Sequence, residues 1–176
     1  MKRLLLTFLL TIYIQHPAHA SNAFETYGNL GQYAIPAIAA GISWYQDDID
    51  GLKQFSYSLA ATGSSVWALK NTVDSQRPNG EEKSFPSGHS ALAFSGASYL
   101  QMRYGWTYGI PAYAAAGLVG WSRVDAEQHY WRDVIAGAII ATSFSYLFTD
   151  TKEQQVAFYP TFMGSDAKGI AISYYF

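Results

Sequence analysis

Five stretches without Asp, Glu, Lys or Arg dominate this chain: residues 26–46, 54–69, 84–102, 104–122 and 134–149. Their length and their Ala, Leu and Ile content predict helices rather than strands. Short polar segments punctuate them. "DDIDG" at 47–51 ends the first run, with Gly51 as a stop signal. "NGEEKSFPSG" at 79–88 carries Asn-Gly and Pro-Ser turn chemistry and predicts a loop. The expectation is an all-α fold, a compact helical bundle, over residues 21–150.

Whether such helices cross a bilayer is a question of reach. Pro36 and Pro111 are expected near helix starts, where proline is best tolerated. A helix from Pro111 to Ser122 would then extend about 18 Å at about 1.5 Å per residue, against a hydrocarbon core of about 30 Å. Gly, Ser and Tyr recur in every run and Thr in four of the five, and the mean hydropathy is −0.02. These features favour a tightly packed exported domain. A small integral membrane protein is the alternative, because packed membrane helices tolerate proline.

The first twenty residues have the layout of a secretory signal peptide. Lys2 and Arg3 precede an apolar centre from Leu4 to Ile14, followed by Ala18-His19-Ala20 as a cleavage site. An uncleaved anchor is the lesser alternative. Cleavage would remove His16 and His19, leaving His89 and His129 of the four histidines, and two of the positive charges. The formal charge is already −2, so nothing suggests a nucleic-acid surface. The chain has no cysteine, which excludes disulfides, thiolate metal sites and cysteine nucleophiles.

Residues 151–176 change character. "VAFYPTF", "GSDAKG" and "IAISYYF" predict a possible β-hairpin. The ending resembles the terminal strand of outer-membrane barrels, but one hairpin cannot close a barrel. A hairpin packed on the helices is expected.

Chemistry concentrates in three segments. "KNTVDSQRP" holds Lys70, Arg77 and Pro78; "PSGH" runs from Pro86 to His89; "SRVDAEQHYWRD" holds Ser122, Arg123, His129 and Asp133. Lys70 ends one predicted helix, His89 starts the next, Arg123 ends the following one, and His129 with Asp133 opens the last. In an up-down bundle those positions meet on one face. Arginine offers a planar fork matched to phosphate oxygens. Ser87 is placed as a helix N-cap, with Gly88 beside it, where free N–H groups favour an anion. His129 and Asp133 are helix neighbours at i,i+4. The carboxylate would fix the imidazole tautomer and leave the other nitrogen free to attack. His89 would protonate a leaving oxygen.

These motifs, K-x6-R-P, P-S-G-H and S-R-x5-H-x3-D, resemble in order and spacing the signature of the type 2 phosphatidic acid phosphatase (PAP2) and vanadium haloperoxidase superfamily. The resemblance implies an all-helical fold and phosphatase chemistry without a metal or other cofactor, vanadate acting as an inhibitor. It implies phosphate binding by Lys70, Arg77, Ser87, Gly88 and Arg123, with Ser122 in support. His129 would be the nucleophile oriented by Asp133, and His89 the acid.

Blander roles exist for each part. His129 and Asp133 alone would be a capping pair, and Lys70 a charge offsetting a helix dipole. One histidine and one carboxylate make a poor zinc set. Trp106, Tyr108, Tyr113, Trp121, Tyr130 and Trp131 are expected as core and rim packing rather than a substrate platform, with Tyr130 and Trp131, which flank His129, as the exceptions to test. Glu81, Glu82 and Lys83 are expected to be a solvated loop that also repels highly anionic substrates. The combined expectation is an exported periplasmic or envelope phosphatase acting on a lipid phosphate or small phosphoester, with membrane-surface contact. A vanadate-dependent haloperoxidase, and a non-catalytic envelope interaction protein with a vestigial site, are the alternatives.

Overall fold

The computed structural model describes the backbone of residues 22–152, 156–163 and 167–174, and the side chains of residues 23–152. The expected signal peptide, residues 1–20, lies outside the described residues. Five helices follow in order: α1 Asn22–Tyr45, α2 Ile49–Thr72, α3 Gly88–Tyr104, α4 Trp106–Asp125 and α5 Trp131–Phe148. Beyond them β1 Val156–Met163 and β2 Ala167–Tyr174 pair antiparallel, Val156 opposite Tyr174 and Met163 opposite Ala167.

Helix α3 is the hub and touches the four other helices. Its sequence explains this, because Ser90, Ala91, Ala93, Ser95, Gly96, Ala97 and Ser98 are all small and all buried. Small side chains let helix backbones approach closely. A Cβ on Gly96 would lie 2.8 Å from the Pro36 nitrogen, so α1 crosses α3 at these two residues. Pro36 is therefore in the middle of α1 and Pro111 inside α4, not at helix starts. Tertiary packing overrides the local preference. Helix α4 has 20 residues, longer than the proline-based reading allowed. No helix among the described residues is long and apolar enough to cross a membrane.

The first turn also departs from expectation. Helix α1 ends at Tyr45, and Gly51 lies inside the first turn of α2. Asp48 caps α2 by accepting from Gly51 N at 3.0 Å. A side chain on Gly51 would collide with Asp48 and Tyr99, so the glycine makes room for a cap rather than stopping a helix.

Apolar burial centres on Ile35, Ala93, Ala97, Ala116 and Val119, with Ala39, Phe55, Tyr99 and Leu100 towards the α1–α2 turn. Buried hydroxyls accompany this core. Ser98 pairs with Thr142 at 2.9 Å, Ser95 donates to Ala91 O at 2.9 Å, and Ser58 pairs with Ser145 at 3.2 Å. At the end of α3, Arg103 holds Asp48 through two bonds of 2.7 Å, and Tyr104 donates to the same carboxylate. This clamp fixes the far end of α3 to the α1–α2 turn. Breaking a buried pair of this kind costs about 3–5 kcal/mol.

Candidate active site

The start of α3 is built by "FPSGH". Ser87 is its N-cap, and its Oγ accepts from Ser90 N at 3.3 Å and from Ser90 Oγ at 3.0 Å. Such caps stabilise a helix by ~1 kcal/mol. The backbone N–H of Ser87 donates to Asp133 O at 2.9 Å, which ties the start of α3 to the start of α5. Gly137 permits this, since a Cβ there would come within 2.5 Å of Ser87 O. The N–H groups of Gly88 and His89 have no acceptor among the described residues, so the helix start presents free donors. A Cβ on Gly88 would only reach ordinary contact, 3.9 Å from Lys70 Cε. Protein packing does not itself require glycine there.

Lys70, in the last turn of α2, comes to the same place and donates to Lys83 O at 2.8 Å. Burial, with Arg77 nearby, holds its ammonium pKa down to about 8. Arg77 stands on the loop before α3. Its Nη1 reaches Glu81 Oε2 at 2.7 Å and Gln128 Oε1 at 2.8 Å, while Nε is buried without a partner. Glu81 is thus an arginine partner at i+4, not merely a solvated loop residue.

Arg123 sits in the last turn of α4 and is 2 % exposed. Its Nη1 donates to Asn29 Oδ1 at 2.5 Å and its Nη2 to Glu25 Oε1 at 3.2 Å, leaving Nε buried and unpaired. Ser122 donates to Val119 O at 2.7 Å and lies directly against Gly28 of α1. Any side chain on Gly28 would collide with Ser122, so the glycine lets α1 lie on the end of α4.

His89, the second residue of α3, has its Nε2 3.2 Å from Asn29 Oδ1. Burial first, then the charges of Arg123, Arg77 and Lys70, push its pKa down to about 4. His129 is 3 % exposed, and burial with Lys70 and Arg77 likewise brings it to about 4, against the pull of Asp133. The expectation that His129 opens the last helix is corrected. It lies in the α4–α5 turn, and α5 begins at Trp131 after the cap residue Tyr130. Its backbone N–H donates to Arg123 O at 3.1 Å, which folds the turn back onto α4.

Asp133 is fully buried at the third position of α5. Its Oδ2 accepts from Ser84 Oγ at 2.5 Å and from Tyr130 N at 3.0 Å. The capping role is therefore present as well. His129 Nδ1 stands 3.6 Å from Oδ2, beyond hydrogen-bond distance. Both His129 Nδ1 and Asp133 Oδ1 are buried without a hydrogen-bond partner.

All nine residues singled out from the sequence thus gather where α2 and α4 end and α3 and α5 begin. Asn29, Glu25, Ser84 and Gln128 join them. No sequence signal marked the first two, which sit on α1 far outside the motifs. Ser84 lies within the turn-rich segment, and Gln128 beside His129. Tyr113 packs on the core, while Trp106, Tyr108 and Trp121 are exposed at the rim with ring contacts to Tyr113, Tyr104 and Phe24; Tyr130 and Trp131, beside His129, are exposed. Near the site, Trp67, Trp121 and Trp131 expose 71 %, 54 % and 52 % of their surface.

Residues 79–156 match the PAP2 superfamily, a span that holds "PSGH" and the third motif but begins after Lys70 and Arg77. The lipid A 4′-phosphatase of Helicobacter pylori is 32 % identical over 80 % of this chain and 79 % of its own length. A lipid A 1-phosphatase of Porphyromonas gingivalis is 36 % identical over 47 % of this chain and 19 % of its own. The crystal structure of Aquifex aeolicus LpxE superposes with a TM-score of 0.65 and 23 % identity, covering 81 % of this chain and 92 % of that one. With the helical hub, the motif order and a relative matched along most of both chains, the conclusion is that this chain belongs to the PAP2 superfamily and is a phosphatase of that superfamily.

Proposed function

We propose that this protein hydrolyses the phosphate monoester of a membrane lipid, with a lipid A-type glycolipid phosphate as the leading substrate, on the exported side of the cell envelope. The observation that carries the reading is the convergence of three cations and two histidines at one end of the helix bundle, with exposed indoles on the same helix ends. Lys70, Arg77 and Arg123 supply charge and directed donors for a phosphate dianion, joined by the free N–H groups of Gly88 and His89. Trp67, Trp121 and Trp131 each lie within one helical turn of Lys70, Arg123 and Asp133, respectively. Tryptophan favours the headgroup level of a bilayer, where its apolar body and polar N–H are both satisfied. The substrate of the Helicobacter pylori relative supports the same class.

In this mechanism a neutral His129 attacks phosphorus with the nitrogen turned away from Asp133. The N–P bond forms as the bond to the leaving oxygen breaks, and protonated His89 gives that oxygen its proton. Water then attacks the phosphohistidine, His89 takes up a proton from it, the N–P bond breaks and inorganic phosphate leaves. The cations offset charge on the equatorial oxygens throughout, so no metal or other cofactor is required. Bound phosphate dianion also counters the three cations that depress the pKa of His89, which favours its protonated form in the complex. The His129–Asp133 pair closes to hydrogen-bond distance in the loaded site, a tightening common when substrate binds.

The test is phosphate release by purified full-length protein from phosphatidate, lipid A, an isoprenyl diphosphate and p-nitrophenyl phosphate. Lipid A is expected to be turned over fastest, with His129→Ala inactive on all four. Equal activity of His129→Ala and wild type would sink the mechanism.

A further inference from the structure

Neither histidine motif includes α1, yet α1 reaches into the site through Asn29. Arginine only donates hydrogen bonds, so the atom facing Arg123 Nη1 at 2.5 Å must be the amide oxygen Oδ1. That oxygen only accepts. The 3.2 Å contact from His89 Nε2 to the same oxygen therefore requires the proton to be on Nε2. One amide oxygen thus joins the phosphate-site arginine to the histidine read as the acid and selects that histidine's tautomer. The placement is fixed from three sides. Gly28 seats α1 directly on Ser122. Gln32 Nε2 holds Asn29 O at 3.1 Å, one turn along. Glu25, one turn the other way, grips Arg123 Nη2 at 3.2 Å.

We propose that Asn29 is the positioning residue of the acid, doing for His89 what Asp133 does for His129; this rests on the phosphatase reading above. With Nε2–H held by Asn29, the mobile proton of His89 is the one on Nδ1. When the phosphorus–oxygen bond breaks, the Nδ1 proton moves to the leaving oxygen. The ring that remains is the neutral Nε2–H tautomer, the form the amide oxygen already stabilises. An acceptor at Nε2 also favours the protonated ring over the neutral one, which opposes the depression caused by burial and the nearby cations.

A group acting through the acid matters most when the leaving oxygen is a poor leaving group. An alkoxide must be protonated as it departs, while p-nitrophenolate departs largely unaided. The experiment compares kcat/KM for n-octyl phosphate and p-nitrophenyl phosphate in wild type, Asn29→Ala, Asn29→Asp and His89→Ala. General acid catalysis contributes about 10²–10⁴-fold. The expected result is that Asn29→Ala lowers the octyl-to-nitrophenyl ratio at least about tenfold, in the same direction as His89→Ala but by less. Asn29→Asp keeps an acceptor and adds negative charge where phosphate binds. It is expected to raise KM for both esters while holding the ratio within about threefold of wild type.

An unchanged ratio in Asn29→Ala, or an equal fall in both substrates, overturns the positioning role while leaving the phosphatase reading intact. A collapse of the ratio in Asn29→Asp as deep as in Asn29→Ala overturns it as well. Failure of wild type to release phosphate from either ester and from lipid A brings down both readings together.

Discussion

His129 Nδ1 and Asp133 Oδ2 stand 3.6 Å apart across the start of α5, close enough for charge to act and too far for a hydrogen bond. The carboxylate is held there by Ser84 Oγ and the backbone N–H of Tyr130. Ser84 is thus the third member of the His129–Asp133 arrangement. Replacing Ser84 by Ala removes a bond to a charged group, worth about 1.5–3 kcal/mol. If that bond steers Asp133, kcat for Ser84→Ala falls about 10- to 100-fold with KM little changed. A change in KM alone would show that Ser84 serves binding instead.

The cradle of three cations predicts strong inhibition by a trigonal-bipyramidal oxyanion. Vanadate should compete with substrate and bind at least about 100-fold more tightly than inorganic phosphate, as transition-state mimics do. Arg123→Ala should remove most of that preference. Non-competitive inhibition, or equal affinity for the two anions, would contradict the cradle.

Lys70 is held down to about 8 by burial and by Arg77, so its charge is lost as the pH rises through that value. The basic limb of the kcat/KM profile is expected near pH 8. Lys70→Arg keeps a permanent charge, and in that variant the basic limb should move upward by at least one pH unit, even if the plateau is lower. A basic limb that stays in place would assign it to another group.

His89 and His129 are both depressed to about 4 in the folded protein, against 6.5 for a free imidazole. Between these values the unfolded chain binds more protons than the folded one. Stability is therefore fully present above about pH 6.5 and is lost as the pH falls towards 4. The Tm of the ligand-free protein should decline across that window, and less steeply in the double variant His89→Gln, His129→Gln. Identical slopes in the two proteins would place the acid sensitivity elsewhere.

Trp67, Trp121 and Trp131 have no role in the chemical steps of the proposed mechanism. Each contributes apolar area worth about 1.5–3 kcal/mol when buried. The triple alanine variant should raise KM for a lipid phosphate in vesicles at least about tenfold while leaving p-nitrophenyl phosphate turnover within about twofold. Equal loss on both would mean the indoles support the fold.

The sequence by itself determined that there are five helices and roughly where they lie, but not which residues end and begin them. Uncharged runs with a helical composition, broken by turn chemistry, leave little else to form, and the helix phase alone brought Lys70, His89, Arg123 and Asp133 to one end. Three covalently local facts, the Ser87 cap, the "PSGH" turn and the i,i+4 spacing of His129 and Asp133, were also legible. Tertiary structure decided the rest. Pro36 went to mid-helix because Gly96 lets α1 cross α3 there, and that crossing is a fact of two segments sixty residues apart. Gly51 became part of a cap because Tyr99 and Asp48 leave room for no side chain. His129 lies in the turn because Tyr130 is the extended cap of α5 and the His129 N–H is bonded back to Arg123 O. Asn29 and Glu25 entered the site because Gly28 seats α1 on Ser122. Periodicity and spacing report a residue's position along its own helix, whereas these outcomes depend on which neighbour meets it across the bundle.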